Sequence, residues 1–236
     1  MLEARGLPTV AIGLVRPHME ATRGPRGLFV PFPLGRPLGE PGDAAFQRRV
    51  LLAARSVLER TDGPVVLEDF PDDAPSQRPG SGWRPASAPR EPGAAVSAAE
   101  WARLVAGEIA ELRPAWERAR ARFGRTTVGG SRQAPDAWPA YAAAFLEGAL
   151  PAAPAPIPSP ALGLRFVADD LKAYYQEAAQ AEGGVPAPDD INGWFYRRTA
   201  AGGMLAALRA AAMASPDNAL KTMGARFLVP AAWVAG

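Results

Sequence analysis

The sequence contains no cysteine and only one histidine, His18. Within these 236 residues, the absence of cysteine excludes disulfides, thiolate metal ligands and cysteine nucleophiles. A single histidine without a cluster of carboxylates at ligand spacing also argues against a zinc site. We therefore predict neither a metal nor a bound cofactor. Lysine is scarce as well, because only Lys172 and Lys221 are lysines among the 26 basic residues.

Long apolar runs are also absent. No stretch of about 18 apolar residues is present, so the sequence predicts no membrane-spanning helix. Residues 1–6 lack the basic and then apolar pattern of a secretory signal. The formal net charge is only +2, and no dense basic run with interleaved aromatic residues suggests nucleic-acid binding. These features favour a cytoplasmic protein without a membrane or nucleic-acid partner.

The composition is that of a globular protein, with 48% hydrophobic and 21% charged residues. Proline and glycine mark its divisions. Residues 71–95 hold six prolines and are predicted to be a disordered linker, in which Trp83 is the one residue expected to dock on a neighbouring domain. The predicted organisation is an α/β segment over 1–70, this linker, and a helical domain over 96–236.

The segment 1–70 has the pattern of a partial parallel sheet with a helix. Residues 7–15 are mostly apolar, which suits a strand buried on both faces, and further strands are predicted over 27–32 and 64–67. Asp43 is predicted to cap the helix that follows it. The order strand, loop, strand, helix, strand therefore predicts a fragment of an α/β layer.

The remainder is predicted to be mostly α-helical. Ser97 and Glu100 form a capping box, and Pro114 is expected to break or kink the helix that starts there. Asp189 is interpreted as another helix N-cap. Further helices are predicted near 136–149, 161–181, 189–213 and 216–227, the third of them with a possible split at the glycine pair 202–203.

The N-terminal segment contains the candidate binding residues. His18 follows Arg16 at the end of the first predicted strand, where α/β folds place loops that contact ligands. Together with Arg36 in the next turn, these residues suit an anionic substrate such as a small carboxylate, and His18 is the one candidate for proton transfer. The alternative is an ordinary loop histidine among solvated charges, which a histidine without an identified partner favours.

Other polar clusters have simpler interpretations. Arg26, Arg48 and Arg49 either extend a basic patch around Arg36 or are ordinary surface arginines. The acidic group at 68–73 is interpreted as a solvated exit from the domain rather than a magnesium site.

In the helical half, Asp169 and Asp170 lie about 100° apart around a helix and so do not form a carboxylate dyad. The aromatic residues at 174–175 and 194–196 are interpreted as core packing rather than a ligand cage. The sequence GGSR at Gly129–Arg132 has neither a preceding strand nor a following Gly-Lys-Ser/Thr, so it does not predict a phosphate loop.

Several short elements together resemble one known family. They are GLPTV at Gly6–Val10, VRP at Val15–Pro17, PLGRP at Pro33–Pro37 and QRRVL at Gln47–Leu51. Their order and spacing are similar to the C-terminal end of the selenoprotein B family, which comprises the glycine, sarcosine and betaine reductases and the related D-proline reductase subunit. The resemblance spans about residues 2–62.

The resemblance implies a reductase-like protein that lacks its reactive group. In that family a selenocysteine or cysteine in a U-x-x-C type motif lies upstream of the first strand and cleaves a carbon–nitrogen bond reductively. The corresponding position falls before Met1, and Phe32 stands where the family's Pro-His-Pro-Leu-Gly turn has histidine. We therefore expect this chain alone to be inactive.

Two explanations of the missing redox motif are open. An upstream selenocysteine codon read as a stop would make the chain the truncated tail of a reductase. Otherwise the chain is a short relative that lost its redox residues and acts as a partner or scaffold. Two or three strands leave unpaired edges, so we predict that a protein partner, a homo-oligomer or upstream sequence completes the sheet. The alternative functions are a non-catalytic interaction module and a small-carboxylate-binding protein.

Overall fold

The computed structural model describes residues 2–63, 65–74, 83, 97–181 and 186–234. The chain divides into two units, Met1–Ser81 and Gly82–Gly236, which we call the α/β unit and the helical unit. A small parallel sheet with helices followed by a mostly helical remainder confirms the predicted fold class. The linker 71–95 was predicted to be disordered. Apart from 71–74 and Trp83, its residues lie outside the described part of the chain.

The α/β unit contains three short parallel strands in the order β1-β2-β3. Ala11 pairs with Gly27, and Leu28 pairs with Glu68. A helix that the sequence did not predict, α1, follows β1 and begins at Arg16 with Pro17 in its first turn, where proline is tolerated. The elements after a 3₁₀ turn at Glu3–Arg5 are β1 (Ala11–Gly13), α1 (Arg16–Thr22), β2 (Arg26–Phe29), α2 (Ala44–Leu58) and β3 (Val66–Asp69).

Helix α2 covers one face of this sheet. The Asp43 carboxylate accepts a hydrogen bond from the Phe46 amide at 3.0 Å, which confirms the predicted cap. Phe46, Val50, Ala54 and Val57 recur at helical spacing and are buried. Phe32 and Phe70 pack on Phe46 with ring centroids 5.4 and 5.9 Å away, so this unit has a small aromatic core.

The helical unit consists of six helices, within the described residues, and short terminal turns. Its core includes Tyr174, Tyr175, Trp194 and Phe195, for which the sequence predicted core packing, and also Trp138, which is fully buried. None of the described helices is long and apolar enough to cross a bilayer. The helices are α3 (Ala98–Phe123), α4 (Trp138–Leu146), α5 (Pro160–Ala179), α6 (Pro188–Arg198), α7 (Ala200–Ala214) and α8 (Asn218–Met223), with a π-helical turn at Gly224–Leu228 and 3₁₀ turns at Pro135–Ala137 and Ala231–Trp233.

Pro114 does not break α3, so of the two predicted outcomes, a break or a kink, the break is wrong. The helix runs from its Ser97 cap to Phe123 with Pro114 inside it. Pro114 itself is exposed, while Leu112, Ala115 and Trp116 on either side of it are buried. The packing of these neighbours offsets the hydrogen bond that proline cannot donate.

Two further helix boundaries differ from the prediction. Ala187, not Asp189, is the N-cap of α6, and Asp189 lies in the first turn. The helix predicted over 189–213 divides at Thr199 instead of at the glycine pair, because the Thr199 hydroxyl accepts a hydrogen bond from the Gly202 amide and starts α7. Gly202 is required there, since an added Cβ would lie 2.1 Å from the Phe195 carbonyl oxygen.

Candidate functional site

The sheet of the α/β unit has two unlike faces. Side chains alternate along a strand, so Ala11, Gly27 and Leu67 share the face opposite to α2. Met19 from α1 covers part of this face. An added Cβ on Gly27 would lie 2.8 Å from the Met19 Cε atom, so the glycine permits α1 to approach the sheet closely.

A cavity of about 260 Å³ lies between α1 and this second face. Its wall is mostly apolar, with Ala11 and Leu67 from this face and Met19 from α1 among the lining residues. His18 borders the same space. This cavity combines an apolar wall with a titratable side chain, the arrangement common in small-ligand sites.

His18 lies on α1 and not on a loop, which corrects the predicted position. Its amide donates to the Val15 carbonyl, and its own carbonyl accepts a hydrogen bond from the Thr22 hydroxyl at 2.7 Å. The imidazole makes no hydrogen bond with any residue that the structure describes. His18 is an exposed residue at the cavity, and its imidazole is available to a ligand.

Arg16 is occupied by carboxylates. Its Nε and Nη2 atoms donate to the two Asp69 carboxylate oxygens at 2.9 and 3.2 Å, and its Nη1 atom pairs with Glu20. The hydrogen bond with Asp69, with the charge of that carboxylate, raises the pKa of Arg16. The ion pair joins the start of α1 to the end of β3. An anionic ligand at Arg16 would have to compete with Asp69.

Arg36 shares no partner with Arg16 or His18 in the described part of the chain. Its Nη1 atom donates to Glu40 at 2.6 Å within the turn after β2. Among the described residues, no hydrogen bond or ion pair joins Arg36 to Arg16 or His18. The structure thus places Arg16 and His18 on one helix and leaves Arg36 in a separate ion pair.

The other charges of the α/β unit are mostly paired at its surface. Arg26 donates to Glu3 at 2.8 Å, Arg49 pairs with Asp72, and Arg60 pairs with Glu68. No group of three potential metal-binding side chains occurs in the described part of the chain. The pair of Arg26 with Glu3 is half-buried and the other two are surface ion pairs, and the three arginines are each held by a separate carboxylate.

In the helical unit, three carboxylates that the sequence analysis did not assign hold the core together. Glu108 of α3 is buried and accepts hydrogen bonds from the Ala200 and Ala201 amides at 2.7 and 3.1 Å, at the start of α7. The Tyr175 hydroxyl donates to the same carboxylate at 2.7 Å. Glu108 therefore caps α7 from another helix and favours it through the helix dipole.

Asp170 binds the loop that resembled a phosphate loop only superficially. Its carboxylate accepts hydrogen bonds from the amides of Gly129, Gly130 and Ser131 at 2.9, 3.0 and 2.9 Å. The Ser131 hydroxyl donates to it at 2.6 Å and accepts from the Trp138 indole at 3.0 Å. The loop does bind an anion, but the anion is the protein's own carboxylate.

Glu177 makes the third such contact, nearer to solvent. Burial acts to raise its pKa, but hydrogen bonds from the Thr127 amide, the Thr126 and Thr127 hydroxyls and the Trp116 indole outweigh burial and lower the pKa. Glu108 and Asp170 each interrupt an apolar helix stripe in the sequence, which is the signal that marks buried carboxylates. The hydrogen bonds of these three carboxylates hold loops and helix ends in place.

Comparison with known proteins found no match: no family model, no curated protein and no solved structure matches this chain.

Proposed function

We propose that this chain is a reductase-like protein of the selenoprotein B type whose α/β unit binds a small carboxylate. The observation that carries the proposal is the cavity of about 260 Å³ bordered by His18. These 236 residues contain no cysteine. Reductive cleavage of the carbon–nitrogen bond would therefore need a thiolate or selenolate from outside them.

The resemblance and the cavity support the proposal independently. The resembling residues, about 2–62, supply β1, α1, β2 and α2, and most of the lining residues fall among them. The volume suits a molecule of a few heavy atoms, because sites for drug-sized ligands are larger, at about 300–1,000 Å³. The family's amino-acid-type substrates are in this size range.

The residues that line the cavity also predict an order of affinity among such ligands. Ala11, Met19 and Leu67 offer an apolar wall to methyl groups, and methionine adapts its shape to them. The His18 imidazole at the edge of the cavity can donate a hydrogen bond to the carboxylate. We therefore expect betaine, with three N-methyl groups, to bind more tightly than sarcosine, and sarcosine more tightly than glycine.

The experiment uses His18 as its own reporter, because the only histidine gives one set of imidazole proton signals. Betaine, sarcosine, glycine and D-proline are titrated separately while these signals are followed by NMR. We expect a saturable shift of these signals with each carboxylate that binds.

A matched pair of variants tests the location of the ligand. Thr22→Trp places a bulky ring at a residue that lines the cavity, whereas Ala21→Trp places it at the adjacent exposed residue outside the lining. Thr22→Trp is expected to abolish the shift and Ala21→Trp to preserve it. Equal binding by both variants, or no saturable shift with the wild-type protein, would contradict the proposal.

A second candidate function, an interaction module, is favoured by the exposure of apolar residues on α2. Leu51 and Leu52 are 51% and 49% exposed, and among the described strands β1 and β3 each pair only with β2. A second copy of the chain or a protein partner at these surfaces would bury them. Sedimentation velocity over a range of concentrations, with Leu51→Lys and Leu52→Lys as comparisons, tests self-association. If the wild-type protein remained monomeric at all concentrations, self-association through these surfaces would be excluded.

A further inference from the structure

A second cavity, of about 320 Å³, lies entirely within the helical unit. We propose that it binds an alkylammonium, a cationic head group on a short apolar chain. The cavity has an apolar floor, and its rim holds the Asp217 carboxylate and the C-terminal ends of two helices. An alkylammonium complements both. The proposal is independent of the carboxylate site in the α/β unit.

The floor consists of side chains from four helices. Leu164 of α5 and Leu208 of α7 are each 1% exposed, and Phe145 of α4 and Leu220 of α8 are also buried. These residues present carbon atoms to the cavity, so an alkyl chain entering it gains the free energy of leaving water. A polar molecule without such a chain would leave this floor unused.

The rim contains the C-terminal ends of two helices. The last turn of α7, which ends at Ala214, borders the cavity together with the end of α4 at Leu146. The final carbonyl groups of a helix lack partners within it, and each helix C-terminus carries a partial charge of about −0.5. The C-terminal ends of α4 and α7 therefore favour a cation. The N-terminal end of α8, which follows Asp217 at the same rim, has the opposite partial charge and is capped by the Asp217 carboxylate.

Asp217 adds a full negative charge to this rim. One of its carboxylate oxygens, Oδ1, accepts hydrogen bonds from the Ala219 and Leu220 amides at 2.7 and 3.1 Å. Within the described part of the chain its other oxygen, Oδ2, has no hydrogen-bond or ion-pair partner.

No arginine, lysine or histidine is among the residues that line the cavity. The lining therefore offers an ammonium group a carboxylate oxygen and offers an anion no cationic partner.

The first experiment separates the contributions of charge and chain. Calorimetric titrations compare hexyltrimethylammonium, hexylammonium, hexanol and hexanoate with the purified full chain. We expect both cations to bind at least tenfold more tightly than hexanol, and hexanoate to bind most weakly. Among alkylammonium ions, each added methylene should strengthen binding about fourfold until the cavity is full.

The second experiment uses variants that preserve the fold. Asp217→Asn retains an N-cap residue for α8 and removes only the charge. It should weaken the binding of hexylammonium about tenfold and leave hexanol unchanged. Ala211→Phe fills the cavity from α7, whereas Ala206→Phe adds the same ring at an exposed position of α7 outside the lining. Only Ala211→Phe should abolish binding, and circular dichroism checks that both variants are folded.

Several results would overturn the proposal. They are the absence of cation binding, hexanol or hexanoate binding as tightly as the cations, and hexylammonium binding that survives both Ala211→Phe and Asp217→Asn. The titrations with betaine and the other carboxylates report on His18, so failure at one site is distinguishable from failure at the other.

Discussion

The two units of this protein use charged residues in opposite ways. In the α/β unit, carboxylates such as Asp69 and Asp72 pair with arginines at the surface. In the helical unit, Glu108 and Asp170 are buried and accept hydrogen bonds from backbone amides of distant segments. Since exposed ion pairs contribute little and buried carboxylates are costly to disrupt, charge should matter for stability mainly in the helical unit.

The aromatic residues make this comparison measurable. All six tryptophans and all four tyrosines lie after residue 82, in the helical unit. The α/β unit contains phenylalanine and the single histidine. Tryptophan fluorescence therefore reports the helical unit alone, and amide hydrogen exchange resolved by peptide reports each unit separately.

The largest effect is expected from Asp170→Ala. The substitution leaves three backbone amides and the Ser131 hydroxyl without their acceptor, which should lower the free energy of unfolding by about 3 kcal/mol. Urea unfolding followed by tryptophan fluorescence measures the change. The neighbouring Asp169→Asn is the control, because Asp169 is a partly exposed residue paired with Lys172. Equal effects of the two substitutions would contradict the structural role of Asp170.

In the α/β unit, packing rather than charge provides the stability. Phe46→Ala is therefore expected to lower the free energy of unfolding of this unit by a comparable or slightly smaller amount. The substitution removes a buried ring that contacts Phe32 and Phe70, at a cost of about 3 kcal/mol. Hydrogen exchange of the α2 amides should accelerate strongly. Leu51→Ala, on the exposed side of the same helix, should change exchange much less. Similar acceleration in both variants would show that α2 does not pack as described.

A smaller, pH-dependent effect is expected from Glu177. Its folded-state pKa is lowered, so its stabilising contribution is present above the pKa of an unfolded glutamate and is lost as the pH falls through the folded value. Between about pH 5 and pH 3 the urea midpoint of the wild-type protein should therefore fall more steeply than that of Glu177→Gln. Parallel pH profiles would mean that Glu177 does not contribute in this way.

The smallest effect is expected when the ion pair between Arg16 and Asp69 is removed. The two side chains are 40% and 53% exposed, so solvent screens their interaction. Asp69→Asn should leave the hydrogen exchange of α2 and β3 unchanged within error. A loss as large as that of Phe46→Ala would show that charge also determines the stability of the α/β unit, and the contrast between the units would fail.

Local features were predicted best from the sequence. Asp43 and Ser97 were identified as caps because a capping residue and its amide partner lie within three residues of each other. Helix α1 was missed, because its seven residues pack through Met19 onto glycines of two strands instead of showing a long periodic pattern. His18 was consequently placed on a loop, and its position at a cavity was not foreseen.

Long-range partners were not predictable in the same way. The loop at Gly129–Ser131 was set aside as a phosphate loop, and its partner Asp170 lies about 40 residues further along the chain. Glu108 binds amides more than 90 residues away. In both cases the chemistry of each residue was visible in the sequence, but the pairing depends on how the helices pack.

The sequence by itself determined that no thiol or thiolate chemistry arises within these 236 residues, and that an α/β segment precedes a helical one. Composition shows directly which side-chain types are absent. Periodicity and capping involve only a few neighbouring residues, so they can be recognised in the sequence. Only the tertiary structure decided which carboxylates are buried and which face solvent, and where cavities remain between packed elements. Burial and cavity shape depend on contacts between segments far apart in the chain, which local sequence patterns do not specify.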